Sequence, residues 1–313
     1  MTLQQLEYIV SVSKEQSFSK ASEKCFVTQP TLSMQIQKLE ETLGVIIFDR
    51  SKQPVVPTMI GKEIIAQARK VLMESKALKE IVASSKKQIS GELRVGIIPT
   101  VAPYLVPLFL MDFLKSNPTI NLILNELPTE QIVNHLKEDL LDAGILVTPL
   151  HDPHITESAL YYEPFVAYIS PKSHIFKKDK ISPKEMDLSE IWLLNEGHCM
   201  QSQVINLCYE RKQQQLVPNF EYRAGSIETL RKMVEINDGA TLLPMLAIKD
   251  FNDDQNSMVR YFESPEPVRE VSLITHRNFV KRSLIEVFSK CIKANVPENM
   301  QTNSDKNIVA VHP

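Results

Sequence analysis

Cys199 and Cys208 stand nine residues apart in a chain that holds only four cysteines. In a sequence with no secretory signal, such a pair points to thiol redox chemistry rather than to a static cross-link. The two sites read differently. Cys199 follows Gly197-His198 and precedes Met200-Gln201-Ser202-Gln203, a polar setting near a helix start, where a thiolate is favoured and reagents can reach it. Cys208 falls on an apolar stripe with Val204 and Leu207, the pattern of a buried helix face. The bland alternative is that both are small buried hydrophobes, as free cysteines commonly are. A metal site built from His198, Cys199 and Cys208 is disfavoured because no fourth ligand stands at a usable spacing. No cofactor motif is recognised.

Two hydroxyls fit beside such a thiol. Thr100 follows an apolar strand, and Thr129 stands where a helix could begin at Glu130. Each can offer a donor next to backbone amides, able to orient a peroxide and stabilise departing hydroxide; plain helix capping is the competing reading. Cys25 and Cys291 lie on apolar faces and read as packing residues. Asp142 and Arg231 read as structural charges, with Arg231 able to pair near a cleft.

The chemistry must sit in a body large enough to hold it. With 313 residues and 43% hydrophobic composition, two or three domains are expected. The N-terminus lacks a basic, apolar export pattern, so the cytoplasm is the expected compartment. The uncharged stretch 95–111 is broken by Pro99, Pro103 and Pro107, which argues against a membrane span. Net charge is -3, yet residues 1–90 carry 13 Lys+Arg against 9 Asp+Glu, leaving 22 against 29 for the remainder. That split suggests a nucleic-acid module in front of an acidic body.

The front module has the right pattern. Leu3, Leu6, Ile9 and Val10 mark one amphipathic helix, and Ser17 caps a second through Phe18, Ala21 and Cys25. Thr28 caps a third, with Pro30 in its first turn, Leu32, Ile36, Leu39 and Leu43 on one face, and Gly44 as its stop. Gln29, Thr31, Ser33, Gln35 and Lys38 occupy the other faces, where short amides and hydroxyls suit base edges in a major groove. A solvent-facing polar surface fits them equally. Residues 45–48, 49–53 and 55–58 read as strand, basic turn and strand, a wing whose Arg50 and Lys52 would meet phosphates. A helix from 59 to about 85 follows, with Ile64, Ala68, Val71, Ser75, Leu78 and Val82 forming a narrow seam suited to dimerisation.

Ser17-Phe18-Ser19, Gln29-Pro30-Thr31-Leu32-Ser33, Lys38-Leu39-Glu40-Glu41-Thr42-Leu43-Gly44, Phe48-Asp49-Arg50 and Thr58-x-x-Gly61 together resemble the LysR-type transcriptional regulators. Ser22 stands where that family commonly has alanine. Leu136-x-x-Asp139-x-Leu141-Asp142-x-x-Ile145 and Gly239-x-x-Leu242-Leu243-Pro244 are similar to signatures of its effector domain, with Asp139 in place of a frequent glycine. The resemblance implies a winged helix-turn-helix at 1–58, a linker and dimerisation helix at 59–90, and an α/β regulatory domain at 91–296. That domain would comprise two Rossmann-like subdomains of the periplasmic-binding-protein kind, 91–163 with 267–296, and an inserted 164–266. The polar tail 297–313 reads as disordered.

Gly197-His198-Cys199 with Cys208 and Ser226-x-Glu228-Thr229-Leu230-Arg231 is similar to the peroxide-sensing members of the family. This resemblance implies that Cys199 is the peroxidatic thiol and Cys208 the resolving one, and that Thr100, Thr129 and His198 line the peroxide pocket. It also implies a homodimer or homotetramer on double-stranded promoter DNA, with RNA polymerase and a thiol reductant system as further partners, and a regulator rather than an enzyme. Two rivals remain open: a family member that binds a small metabolite and has incidental cysteines, and a thiol peroxidase fused to a DNA-binding module. If 199 and 208 share one helix, they lie about 13.5 Å apart along its axis at roughly 1.5 Å per residue, beyond the roughly 7 Å a disulfide spans.

Overall fold

Three side-chain oxygens begin the first three helices. Thr2 accepts the amide of Gln5 and caps α1, Leu3–Glu15; Ser17 accepts from Lys20 and caps α2, Phe18–Lys24; Thr28 accepts from Thr31 and caps α3, Gln29–Leu43. Gly44 ends α3 with φ 68°, the left-handed stop a glycine makes without strain. Leu6, Ile9, Val12, Ala21, Leu32, Ile36 and Leu39 bury the facing stripes in one core. Leu43, expected on that stripe, is exposed. This is a computed structural model, and it describes residues 1–84, 89–195, 199–208, 224–277, 279, 281–304 and 306–310. The chain divides into two units, Met1–Gln88 with Asn278–Lys281, and Ile89–Arg277 with Arg282–Pro313.

The wing is shorter than the sequence pattern predicts. Its strands are β1, Phe48–Asp49, and β2, Val56–Pro57, paired antiparallel over two residues each. The Glu40 carboxylate takes the amides of Ile47 and Phe48 at 2.7 and 3.2 Å. Those donors are therefore withdrawn from any longer ladder, and Pro54 and Pro57 offer none. Helix α4, Met59–Ser84, starts under the Thr58 hydroxyl, which accepts the Gly61 amide at 3.0 Å and donates to the Ile46 carbonyl at 2.7 Å. A Cβ on Gly61 would lie 2.1 Å from the Ile47 carbonyl oxygen. The Thr58-x-x-Gly61 spacing thus records a close backbone approach between helix and wing. On the predicted seam, Ala68 is buried while Val71 and Leu78 are exposed in the single chain. The Val82 side chain lies outside the described residues.

In the second unit, β3 (Gly91–Ile97), α5 (Ala102–Ser116), β4 (Ile120–Glu126), α6 (Thr129–Lys137) and β5 (Ala143–Thr148) form two βαβ steps, with β3 parallel to both β4 and β5. Then follow β6 (Ile155–Ile169), β7 (Lys180–Ile181), α7 (Cys199–Leu207), α8 (Ile227–Ile236), β8 (Ala240–Pro244), α9 (Asp253–Ser257), β9 (Val259–Phe262), β10 (Glu266–His276), α10 (Arg282–Asn295) and β11 (Lys306–Ile308). The sheet runs β4-β3-β5-β10-β6-β9-β7, with β8 also paired to β6 and β11 to β10. It serves two cores. One contains Leu93, Phe109, Ile132, Ile145, Tyr161 and Phe288; the other contains Phe165, Tyr168, Val204, Leu230, Leu242 and Phe262. Strand β6 passes from one to the other without a break: up to Pro164 it pairs with β10, and from Phe165 onward with β8 and β9.

The Asp139 exception has a backbone reason. Its φ is 56°, the region that favours glycine and that Asp enters more readily than most residues. Arg94 donates to the Asp139 carbonyl at 2.9 Å while pairing with the buried Asp142 at 3.0 Å. Asp142 therefore has the structural role read for it.

Residues 298–304 and 306–310 of the tail are placed, contrary to the disorder expected from its polarity. Met300 is buried against the first core. Strand β11 pairs parallel with Glu266–Val268 of β10, and Val309 is 5% exposed within the second core. The two buried apolar side chains, Met300 and Val309, together with a stretch of strand edge, supply the burial and hydrogen bonds that composition averages conceal. No helix among the described residues is long and apolar enough to cross a membrane.

Candidate functional site

Thr100 and Thr129 stand just beyond the carboxyl ends of the adjacent parallel strands β3 and β4, the place where open α/β sheets hold ligands. Neither acts as a cap. Helix α5 is preceded by Val101 and α6 by Pro128, without a side-chain cap bond at either. Instead the Thr129 hydroxyl lies 3.0 Å from the Cys199 sulfur. Thr100 is buried, its hydroxyl accepting from the Arg269 guanidinium at 3.3 Å and its carbonyl accepting from the same group at 3.0 Å. His198 lies outside the described residues.

Cys199 is the first residue of α7, as its flanks suggest, but it is half-buried and packs against the first core. Its thiol is therefore not lowered overall. Burial pushes it above its ordinary value, while the Thr129 hydroxyl, its own backbone amide and the Arg269 charge pull the other way. Cys208 continues α7 by donating its amide to Val204 at 3.0 Å, and it is 8% exposed in the second core. Burial raises its thiol to about 12. Both cysteines are free thiols, held at opposite ends of one helix.

Sequence reasoning missed two residues here. Arg269 and Glu163 form an ion pair at 2.8 Å with each side chain 1% exposed, and Glu163 also accepts the Leu246 amide at 2.9 Å. Each lies in a strand, where a charge among alternating residues reads as solvent-facing. Only the unusual placement of opposite charges in two otherwise apolar strands could have signalled the pair. Arg231 pairs with Glu228 and Glu235, both at 2.7 Å, along α8. Cys25 and Cys291 pack against cores, as expected. Among the described residues no group of three or more His, Cys, Asp or Glu is arranged to hold a metal ion.

On α3, Gln29, Pro30 and Lys38 are exposed, and Thr31, Ser33 and Gln35 are partly so. Three of these already have intramolecular partners. Gln35 accepts from the Gln5 side chain at 3.2 Å, the Thr31 hydroxyl meets that of Thr28 at 2.8 Å, and Ser33 accepts from Arg50 at 3.0 Å. The same arginine pairs with Glu40 at 3.1 Å and lies 4.9 Å from the centre of the Phe18 ring. Arg50 thus ties the wing to α3, a structural task the reading of a simple phosphate contact did not include. Lys52 is exposed, 4.0 Å from Asp49.

The comparisons with known proteins agree with this architecture. Residues 3–62 match the bacterial regulatory helix-turn-helix of the lysR family and residues 86–297 the LysR substrate binding domain. A hydrogen peroxide-inducible genes activator of Haemophilus influenzae is 35% identical over 88% of this chain and 90% of its own length. The DNA-binding transcriptional dual regulator OxyR of Escherichia coli K12 is 33% identical over 94% and 95%. A full-length OxyR variant from Pseudomonas aeruginosa superposes with TM-score 0.81 at 32% identity, covering 97% of this chain and 98% of that one. With both family segments matched in order, and with a winged helical unit followed by an α/β unit, the chain belongs to the LysR family of bacterial transcriptional regulators.

Proposed function

We propose that this regulator senses hydrogen peroxide through Cys199 and Cys208 and converts the oxidation into altered contacts with double-stranded promoter DNA. The observation that carries the reading is the Thr129 hydroxyl at 3.0 Å from the Cys199 sulfur, at the first residue of a helix whose far end holds the buried Cys208. Relatives named as peroxide-inducible activators support it. The Cys199 thiolate attacks one peroxide oxygen, the O–O bond breaks, and the second oxygen leaves as hydroxide that takes up a proton. Sulfur is oxidised by two electrons to sulfenic acid. The Cys208 sulfur then attacks Cys199, the S–O bond breaks, and a second water leaves as the disulfide forms. Two thiols and one peroxide give one disulfide and two waters. An external dithiol reverses the change.

Thr129 and Thr100 donate to or orient the peroxide, Arg269 offers positive charge to the developing anions, and the family resemblance adds His198 to the same pocket. Along a helix the two cysteines stand about 13.5 Å apart at roughly 1.5 Å per residue, so closing the bond unwinds α7 and withdraws Cys208 from its core. This is a bistable element able to change how subunits associate. The reading includes a homodimer or homotetramer formed through α4, RNA polymerase and a thiol reductant as partners, a cytoplasmic location, and a signalling rather than enzymatic role. Gln29, Pro30, Thr31, Ser33, Gln35 and Lys38 face bases and backbone in the major groove, with Arg50 and Lys52 near phosphates. Non-reducing peptide mapping after stoichiometric peroxide tests the proposal. A Cys199–Cys208 peptide pair supports it; both thiols remaining free, with DNA contacts unchanged, would defeat it.

A further inference from the structure

The tail and the redox helix are fastened to each other. On α7, Gln203 and Asn206 stand three residues apart, between the two cysteines. Their side-chain amides donate to consecutive tail carbonyls, Gln203 to Val309 at 2.9 Å and Asn206 to Ala310 at 3.1 Å. Gln203 is fully buried. The other side of the tail is bonded to the sheet: β11 runs parallel to Glu266–Val268, and the Val309 amide donates to the Val268 carbonyl at 2.8 Å. The Val309 side chain joins Val204 and Cys208 in the second core. Residues 306–310 thus lie between β10 and the helix that carries both thiols.

We infer that residues 306–310 are a latch on α7 that holds the dithiol form and sets how readily the disulfide forms. The inference rests on the peroxide-sensing reading above, because it takes Cys199–Cys208 closure as the event that unwinds α7. Unwinding moves Gln203 and Asn206 off their carbonyls and withdraws Cys208 from the cluster in which Val309 sits. The docked tail therefore binds the helical state better than the disulfide state. Linkage makes the effect reciprocal: whatever the tail contributes to the dithiol form, oxidation removes from tail docking. Two hydrogen bonds and one buried valine are enough to move that balance by about tenfold.

The test uses the full chain, a chain ending at Ser304, and Val309→Ser, which keeps the tail backbone but weakens its anchor. Hydrogen exchange is followed across 306–310 before and after peroxide. The Cys199–Cys208 equilibrium is measured in a dithiothreitol redox buffer. Expected are exchange at least about tenfold faster across 306–310 in the oxidised full chain, and an equilibrium moved about tenfold towards disulfide in the shortened chain, about 30 mV for a two-electron couple. Val309→Ser should shift the same way by less, and it carries the equilibrium arm should the shortened chain not fold. Confirmed disulfide with unchanged tail protection, or an equilibrium in Val309→Ser that is unmoved or moved towards dithiol, overturns the latch while leaving peroxide sensing intact. No disulfide in the full chain overturns both.

Discussion

The Thr129 hydroxyl and the Cys199 sulfur face each other at 3.0 Å, joining the start of α6 to the start of α7. Burial raises the thiol, and this contact is the leading influence that lowers it. Thr129→Val should therefore slow Cys199 oxidation by about tenfold, the scale of a hydrogen bond to a charged group. Stopped-flow oxidation of the reduced protein reads the rate, and unchanged reduced-state DNA binding shows that the fold persists. A rate equal to that of the parent would remove Thr129 from the site.

With the Cys199 thiol above its ordinary value, the reactive thiolate is the minor form at neutral pH. Raising the pH increases the thiolate fraction, so the oxidation rate should climb about tenfold per pH unit between pH 6 and 8. A rate that is flat across that range would mean Cys199 is already ionised.

Cys199→Ser should fold, bind DNA in the reduced mode and show no peroxide response. Cys208→Ser should instead stop at sulfenic acid on Cys199, detectable by dimedone labelling and mass spectrometry. If Cys199→Ser kept the full oxidative shift in promoter contacts, the division of roles between the two thiols would collapse.

Arg269→Leu leaves the Glu163 carboxylate buried beside an apolar side chain. Removing one partner of such a pair costs about 3–5 kcal/mol, measurable by urea denaturation of the reduced protein. A loss under about 1 kcal/mol would mean that Glu163 finds another partner or solvent.

Arg50 pairs with Glu40 at 3.1 Å, and the proposed function also gives it a phosphate contact. Arg50→Ala should reduce the salt dependence of DNA binding by roughly one unit of log–log slope. It should also lower the melting temperature of the N-terminal unit, since Ser33, Glu40 and Phe18 lose a shared contact. A changed base preference with an unchanged salt slope would place Arg50 on a base instead.

The N-terminal unit was legible because its signals are local. Thr2, Ser17, Thr28 and Gly44 act on residues within one turn, and a 3.6-residue period exposes the helix faces directly. Cysteine count and spacing singled out Cys199 and Cys208, and the structure places both as free thiols at the two ends of α7. What sequence could not supply were pairings at long range. Glu163 and Arg269 are 106 residues apart and look like surface charges until two strands are laid side by side. Arg50 reads as a free cation because its partner Glu40 belongs to another element. The tail's polarity outweighs Met300 and Val309 in any average, yet those two side chains decide where it goes. The thiol environment was misjudged for the same reason: polar neighbours in sequence say little about burial against α6 and the first core.

Strand β6 offers no loop at Pro164, where one core gives way to the next. A clamshell needs a slack joint, and an unbroken strand with β10 hydrogen-bonded beside it behaves more like a leaf spring. Bending it strains the ladder to β10 before Pro164 and those to β8 and β9 after it, so wide opening and shutting around a bulky guest is costly. An oxidant of two heavy atoms asks for no such travel. The message has to leave through a local change of shape on a stiff chassis, which suits a signal measured in bonds rather than in enclosed volume.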